Sequence, residues 1–159
     1  KKLKDINSKT KVNIFNFRLD NKNFQKIIKN YDYIVDGTDN FKTKFLINDL
    51  SLKNNKFLVT GAISKFDGHV FTFNFKNKKE PCLRCFYQEE TISDDILNCE
   101  YEGILGTVAS TIGTIQANEI LKEILDIGQN LNGSILIIDL LNLNFRKVKL
   151  NKRNKCICN

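Results

Sequence analysis

Two pairs of closely spaced cysteines, which lie far apart in the sequence, constrain the fold of this chain more than any other feature. The five cysteines occupy positions 82, 85, 99, 156 and 158. Cys82 and Cys85 form one pair, and Cys156 and Cys158 form the other. Together they can supply the four thiolates of a closed tetrahedral zinc site, which is structural because no position is left for water or substrate. The end of the chain would then fold back onto its middle.

Disulfides and inert buried thiols are the alternatives to a zinc site. Disulfides persist mainly in exported proteins, whereas residues 1–30 carry basic charge and lack the apolar segment of a signal peptide. A redox-active CxxC usually opens a helix after a strand, and we expect a tight turn after Pro81 instead. The pattern favours zinc, although the single residue between Cys156 and Cys158 constrains those two ligands more tightly than the usual two residues.

Length and composition indicate one globular domain. The chain has 159 residues, of which 42% are hydrophobic and 27% charged, and this excludes disordered, collagen-like and membrane-embedded chains. Its longest uncharged run, residues 103–118, is too short and too interrupted by Gly and Thr to span a bilayer. We therefore expect a cytoplasmic protein without membrane association. The sequence contains no methionine, which predicts a processed or partial chain.

The net charge of +7 is concentrated at the two ends of the chain. Residues 1–30 carry +7 and residues 146–159 carry +6, whereas residues 31–145 carry −6. Basic ends can bind nucleic acid, but solvated lysine is the commoner meaning, and the acidic middle argues against that partner. A zinc-stabilised basic module that binds nucleic acid is therefore the weakest of the alternative functions.

The spacing of apolar residues predicts strands and helices in turn. Strands are predicted at residues 11–19, 33–35, 57–62, 69–75, 134–141 and 145–150, and helices at residues 23–30, 40–53 and 103–125. Residues 80–102 show no periodicity. Because no helix separates the later strands, the pattern predicts an α/β fold with a mixed sheet.

Asp39 lies between the strand predicted at residues 33–35 and the helix that follows it. Ligands of open α/β sheets bind beyond the carboxyl ends of strands. A carboxylate there can hold a Mg²⁺ ion that bridges phosphates, and a helix N-terminus favours anions. Alternatively, Thr38 or Asp39 only caps the helix. Both interpretations remain open at this point.

Cys99 has no nearby cysteine in the sequence. It lies between Asp94-Asp95 and Glu100, in the stretch without periodicity. A lone cysteine in a loop is a candidate nucleophile, but neighbouring carboxylates raise the pKa of a thiol and reduce its reactivity. Spacing alone leaves its role open.

A series of motifs runs in one order over nearly the whole chain. They are Val35-Asp36-Gly37-Thr38-Asp39-Asn40-Phe41, Asn48-Asp49, Val59-Thr60-Gly61-Ala62, Gly68-His69-Val70, Glu80-Pro81-Cys82-Leu83-Arg84-Cys85, Asn98-Cys99-Glu100, Gly103-Ile104-Leu105-Gly106, Ile112-Gly113-Thr114-Ile115-Gln116-Ala117-Asn118-Glu119, Phe145-Arg146 and the terminal cysteine pair. Their order and spacing resemble the ThiF/MoeB/HesA family, the prokaryotic relatives of ubiquitin-activating enzymes.

The resemblance implies a fold and an organisation. We expect a Rossmann-like mixed sheet with flanking helices and a structural zinc site. Residues 1–159 would form a single domain, the C-terminal part of a ThiF/MoeB-like adenylation domain. Its crossover loop would cover about residues 86–102 and its zinc-binding tail residues 151–159. The family also implies a homodimer.

The resemblance implies an enzyme, an adenylyltransferase that uses ATP and Mg²⁺. Such enzymes adenylate the C-terminal glycine of a ubiquitin-like sulfur carrier protein ending in Gly-Gly, and a sulfur donor then converts it to a thiocarboxylate for thiamine or molybdopterin synthesis. Asp39 corresponds to the family aspartate near Mg²⁺ and the phosphates, and Asn40 to its nucleotide-contacting neighbour. Cys82, Cys85, Cys156 and Cys158 correspond to the Zn²⁺ ligands. Cys99 corresponds to a sulfur-transfer nucleophile in some members and to a dispensable residue in others.

The sequence departs from the family pattern at several points. The Gly-rich nucleotide loop does not occur in these residues, and Lys44 replaces a common arginine, which keeps the charge but loses the planar guanidinium. The terminal pair is CxC where CxxC is usual. A non-catalytic member that binds a ubiquitin-like protein is therefore the alternative function. We interpret His69 as structural rather than as a base, and expect Gly106 and Gly113 to permit close packing of the long helix.

Overall fold

The computed structural model describes residues 2–88 and 103–159. Within these ranges the helices are α1 (Lys2–Ile6), α2 (Asn21–Ile28), α3 (Phe41–Lys53), α4 (Leu83–Phe86) and α5 (Gly106–Leu125). The strands are β1 (Tyr33–Asp36), β2 (Phe57–Ser64), β3 (Asp67–Asn74), β4 (Ser134–Asp139) and β5 (Asn144–Lys149).

The strands form one mixed sheet in which each strand pairs with its neighbour in sequence. β1 pairs with β2 in parallel, and α3 connects them. The pairs β2–β3, β3–β4 and β4–β5 are antiparallel. Parallel strands require a crossover connection, whereas antiparallel strands can be joined by short turns. Short turns join β2 to β3 and β4 to β5, whereas residues 75–133, which include α4 and α5, connect β3 to β4. The predicted α/β fold with a mixed sheet is therefore confirmed.

Helices cover both faces of the sheet, and each face has its own apolar core. On one face Leu58, Phe71 and Phe73 pack with residues of α2 and α3. On the other face the core comprises Phe57, Val59, Val70, Val108, Ile112, Leu131 and Ile138, which include residues of α5. β3 is buried on both faces, as is typical of a central strand.

The long helix approaches the sheet through glycines that lie on the strands. A Cβ added to Gly61 would lie 2.8 Å from the side-chain oxygen of Gln116 and 2.9 Å from Cγ2 of Ile112, and one added to Gly68 would clash with the Ile112 side chain. In contrast, no heavy atom lies within 4 Å of a Cβ built on Gly106 or Gly113. Within the described residues these two glycines therefore make no close contact, and the expectation that they permit close packing of the long helix stays a prediction.

The strand predicted at residues 11–19 is wrong, because this segment is irregular in the structure. Ile14 is 83% exposed, and Phe15 and Phe17 are each 49% exposed. The apolar alternation slips by one residue at Ile14–Phe15, so that no single face collects all the apolar side chains. A strand also requires a neighbouring strand for its backbone hydrogen bonds, and the sheet formed by the described residues gives this segment none.

None of the described helices combines the length and the hydrophobicity that a membrane span requires.

Candidate functional site

β1 ends in a turn that Asp36 organises. The Asp36 side chain is buried, and its Oδ1 accepts hydrogen bonds from the Thr38 backbone N–H at 2.8 Å and from the Thr38 hydroxyl at 2.7 Å. An aspartate that bonds the backbone two residues further on stabilises a turn. The chain therefore turns immediately after the strand and places residue 39 at the surface.

A buried polar network lies beneath this turn. Oδ2 of Asp36 accepts hydrogen bonds from Lys44 Nζ at 3.2 Å and from the Thr60 hydroxyl. Lys44 also donates to the carbonyl of Gly61. Burial lowers the pKa of Lys44, while the Asp36 carboxylate opposes that change. Because buried charges are tolerated when they are paired and hydrogen-bonded, the network fixes α3 against β1 and β2.

Gln116 connects the long helix to the same turn. Its side-chain Nε2 donates to the backbone carbonyl of Asp36 at 2.8 Å, and the residue is buried. Asp36, Thr60 and Gln116 were not among the site residues predicted from the sequence. For Gln116 the available signal was a polar residue among the apolar residues of α5, and such a residue needs a hydrogen-bond partner when it is buried.

Asn40, and neither Thr38 nor Asp39, caps α3. Its Oδ1 accepts a hydrogen bond from the Thr43 backbone N–H at 2.9 Å. The suggestion that Thr38 or Asp39 acts as the cap is therefore wrong. The Asn40 amide also donates to Oδ1 of Asp39 at 3.1 Å. This bond is the largest of the effects that lower the pKa of Asp39. A hydrogen bond from the Asp39 backbone and the charges of Lys44 and Arg18 lower it further.

The exposed Asp39 carboxylate lies at a cleft of about 530 Å³ between the end of the sheet and α5. Asp67 and His69 from the start of β3 also line the cleft. Apolar lining comes from Phe41, Ala62, Ile63, Tyr87, Ile104 and Ile112. Among the described residues that line it, Lys44 is the only Lys or Arg, and it is paired with Asp36. The cleft therefore presents carboxylates to a ligand more than cations.

His69 lies in an aromatic environment on the cleft wall. Its Nδ1 is 2.9 Å from the hydroxyl of Tyr87, and its ring contacts the edges or faces of Phe71 and Phe86. Burial lowers the pKa of His69, partly opposed by Asp67, and raises the pKa of Tyr87 to about 12. Both side chains are therefore uncharged at neutral pH.

The structure brings the two cysteine pairs together. The Sγ atoms of Cys82, Cys85, Cys156 and Cys158 all lie within 4.8 Å of one another. Two of the separations, Cys82–Cys156 and Cys85–Cys158, are 3.5 Å, and all four thiols are free. Zinc bound tetrahedrally at about 2.3 Å from each thiolate would place the sulfurs about 3.8 Å apart. The four residues, including the CxC pair, fit a zinc ion.

The electrostatics of this cluster also suit a cation. Burial raises the pKa of Cys82 above its ordinary value and that of Cys158 to about 12, and neighbouring thiols add to the rise for Cys82. Burial acts in the same direction on Cys85, but backbone hydrogen bonds, the first from Arg153, lower its pKa overall. Four adjacent thiolates repel one another, so a metal ion is what would allow all of them to lose their protons.

The first cysteine pair lies at a single turn of helix, where we expected a tight turn after Pro81. Cys82 is the N-cap of α4, and Cys85 lies within it. The backbone N–H of Cys85 donates to the Cys82 carbonyl at 2.9 Å, which closes one helical turn. This helix does not follow β3 directly, since β3 ends at Asn74.

Cys99 lies outside the described residues, and so does the part of the predicted crossover loop from residue 89 to residue 102. Its proposed role as a nucleophile stays a prediction.

Solved structures share this fold. The E. coli protein MccB superimposes with a TM-score of 0.80 at 13% sequence identity, over 99% of this chain and 47% of that one. An ATP-bound structure of E. coli MccB gives a TM-score of 0.78 at 15% identity, over 98% of this chain and 47% of that one. At this level of identity the likeness establishes the fold.

Curated relatives are more similar in sequence. A "sulfur carrier protein adenylyltransferase" of Thermus thermophilus is 34% identical over 159 residues, which cover 98% of this chain and 59% of the relative. A "probable molybdopterin-synthase adenylyltransferase" of Pyropia yezoensis is 38% identical, over 94% of this chain and 39% of the relative. An "adenylyltransferase and sulfurtransferase MOCS3" of Dictyostelium discoideum is 33% identical, over 98% of this chain and 37% of the relative. The chain thus spans between 37% and 59% of the length of these relatives.

The model of the ThiF family matches residues 1–159. The match agrees with the resemblance of the ordered motifs to this family. This chain belongs to the ThiF family.

Proposed function

We propose that the protein adenylates the C-terminal glycine of a ubiquitin-like sulfur carrier protein. The carrier carboxylate would attack the α-phosphate of ATP, which forms the acyl-adenylate and breaks the bond to pyrophosphate. A sulfur donor could then displace AMP from the activated carboxyl group, so that a thiocarboxylate forms for thiamine or molybdopterin synthesis. The names of relatives that act as adenylyltransferases of a sulfur carrier or of molybdopterin synthase support this proposal.

The position of Asp39 is the observation that carries the proposal. Its exposed carboxylate follows β1 and adjoins the N-terminus of α3 at the edge of the cleft. Backbone N–H groups of a helix N-terminus bind phosphate, and oxygen ligands suit Mg²⁺. When bound, Mg²⁺ would neutralise phosphate charge. We therefore assign Asp39 to the metal and phosphates and Asn40 to the nucleotide.

The charges of the cleft favour a metal-bound nucleotide over a bare one. Asp39 and Asp67 line the cleft, whereas Lys44 is engaged by Asp36. A polyphosphate without a cation would therefore be repelled by the described part of the site. The lowered pKa of Asp39 keeps its carboxylate ionised at neutral pH and able to hold a divalent cation.

The reaction requires no strong base from the protein. The attacking carboxylate of a C-terminal glycine is already ionised at neutral pH, so that catalysis depends on positioning and on charge neutralisation. The uncharged His69, which is hydrogen-bonded to Tyr87, fits a structural role in the cleft wall.

We also propose that Cys82, Cys85, Cys156 and Cys158 hold a structural Zn²⁺ ion. Four thiolates complete a tetrahedral shell, and no position is then left for substrate. The ion would join α4 to residues 151–159, the zinc-binding tail. Thiolate ligands require reduced cysteines, which a reducing compartment maintains, and we place the protein in the cytoplasm.

Further parts of the proposal concern the organisation of the whole protein. We infer that residues 1–159 are the C-terminal part of one adenylation domain, with a crossover loop at about residues 86–102 in which Cys99 acts as a sulfur-transfer nucleophile. We further infer a homodimer. More than half of the surface of Leu121, Ile124, Leu125 and Ile127 at the end of α5 is exposed, and this apolar surface supports an interface.

Replacement of Asp39 by Ala in the complete protein tests the assignment. We expect carrier-dependent exchange between ATP and pyrophosphate to fall by about 100-fold or more, since removal of one group that stabilises transition-state charge has effects of this size. Asp32→Ala is the matched control, because Asp32 precedes β1, is exposed and does not line the cleft. Normal exchange in Asp39→Ala would overturn the assignment and favour a member that binds a ubiquitin-like protein without activating it.

A further inference from the structure

α3 holds both residues that separate Cys82 from Cys85. The backbone N–H of Leu83 donates to Oδ1 of the buried Asn48 at 3.0 Å. The guanidinium of Arg84 donates to both carboxylate oxygens of Asp49, from Nε to Oδ1 at 2.8 Å and from Nη2 to Oδ2 at 2.9 Å. The short helix that carries the first cysteine pair is therefore attached to α3 by its backbone and by a side chain.

A third contact fixes the orientation of the Arg84 side chain. Its guanidinium carbon lies 4.3 Å from the centroid of the Phe45 ring. A planar guanidinium can lie over an aromatic ring and bind both oxygens of a carboxylate at the same time, whereas the ammonium group of lysine cannot. Phe45 and Asp49 are four residues apart on α3 and so lie on the same side of the helix. Among the described residues, one surface of α3 therefore contacts the Arg84 guanidinium through both Phe45 and Asp49.

We propose that Asp49 and Arg84 form a clamp that positions Cys82 and Cys85 for the metal ion. The proposal rests on the zinc site proposed above. Neither residue contributes a ligand atom. The clamp acts by holding α4 in the orientation that directs both sulfurs toward Cys156 and Cys158. Groups that orient metal ligands in this way typically contribute about 10- to 100-fold to metal affinity.

The geometry distinguishes this contact from an ordinary surface ion pair. Exposed pairs contribute little because solvent screens them and because two long side chains must be ordered. Here the side chains of Arg84 and Asp49 are 21% and 34% exposed, and the contact is bidentate. Stacking on Phe45 has already ordered the arginine. The orientation of the ligands, rather than the net charge near the metal, is what the clamp provides.

Competition for zinc between the zinc-loaded protein and a chelator of known affinity tests the clamp. We expect Asp49→Asn and Arg84→Gln to bind zinc about 10- to 100-fold more weakly than the wild type. Arg146→Gln is the matched control, because it removes the same charge from an exposed position on β5, and it should bind zinc as the wild type does. The double variant should be no weaker than Arg84→Gln alone, because the two residues act as a unit.

A second arginine variant separates orientation from charge. Arg84→Lys keeps the positive charge but loses the planar fork, so we expect it to weaken zinc binding as well. Far-ultraviolet circular dichroism would verify that each variant folds. If Arg84→Gln fails to fold, the zinc affinities of Asp49→Asn and Arg84→Lys test the clamp instead. Wild-type zinc affinity in these variants would overturn the clamp and leave the zinc site intact. A wild-type protein that binds no zinc would overturn both. Neither outcome depends on adenylation activity.

Discussion

Two aspartates three residues apart differ in their environment more than in their chemistry. Asp36 is 1% exposed and accepts bonds from Thr38, Lys44 and Thr60. Asp39 is exposed and bonds the neighbouring Asn40. Because the buried charges of Asp36 and Lys44 compensate each other, removing either one would leave the other unpaired. Asp36 is therefore fixed by its partners and serves to stabilise the turn. The exposed Asp39 keeps oxygen atoms available for a ligand.

At the residue scale we predict a pH dependence from His69. Its pKa in the folded protein is lowered from 6.5, mainly by burial. Below about pH 6.5 the unfolded chain therefore binds a proton that the folded protein does not yet bind, and acidification destabilises the fold. His69→Gln stays neutral, so the stability advantage of the wild type over this variant should shrink by up to about 1.4 kcal/mol per pH unit below 6.5.

Urea unfolding of wild type and His69→Gln between about pH 5 and pH 7.5 measures this difference. The two free energies of unfolding should converge or cross as the pH falls. Parallel curves over this range would show that the folded and unfolded states bind the His69 proton equally well.

α3 links the cleft to the cysteine cluster within a single helix. Asn40 caps its first turn beside the cleft, and Lys44 anchors its next turn beneath the site. Asn48 and Asp49 then hold the residues between Cys82 and Cys85. Since a helix rises 1.5 Å per residue, Asn40 and Asp49 are about 13 Å apart along one rigid element. The orientation of α3 thus affects both sites.

At the element scale we predict opposite effects for two glycines. Gly68→Ala places a methyl group against the Ile112 side chain of α5, so it should lower the free energy of unfolding by about 1–3 kcal/mol. Gly113→Ala meets nothing within 4 Å and lies inside α5, so it should raise that free energy by about 0.5–1 kcal/mol. Chemical denaturation of both variants and of the wild type measures the two changes in the free energy of unfolding. A neutral Gly68→Ala would show that Ile112 moves aside without cost.

At the scale of the whole molecule, the cysteine cluster joins segments far apart in sequence. Cys82 and Cys85 lie between β3 and α5, whereas Cys156 and Cys158 follow β5. Lys152 Nζ also donates to the Lys78 carbonyl at 2.6 Å, which ties the tail to the loop before α4. A metal ion at the cluster would therefore join two segments that are 74 residues apart in the sequence.

Removal of zinc should therefore destabilise the whole fold. At a free zinc concentration of about 1,000 times the Kd, binding adds about 4 kcal/mol to the free energy of unfolding. For a chain of this length a loss of that size lowers Tm by about 10 °C. Metal analysis should find about one zinc per chain, and calorimetry before and after chelation measures the shift. Complete loss of metal at an unchanged Tm would contradict a structural role.

Local patterns determined most of the elements in advance. Apolar spacing located α2, α3, α5 and every strand of the sheet to within a few residues. Burial explains this for β2, β3 and β4, which each contain several buried residues, whereas β5 is almost entirely exposed. The same reasoning failed at residues 11–19, where alternation exists but no neighbouring strand pairs with it. Alternation of apolar and polar residues shows only that a segment could present one apolar face. Whether it forms a strand depends on backbone hydrogen bonds to a second strand.

The sequence by itself determined the candidate residues, because residue type and spacing carry the chemistry of a carboxylate at a strand end and of four thiols in two pairs. Tertiary structure decided how those residues are held. It brought Asp36, Lys44 and Thr60 into one buried network and placed Asp49 against Arg84. These contacts join residues from 8 to 35 positions apart. Their distances follow from packing of helices on a sheet, which no local sequence pattern encodes.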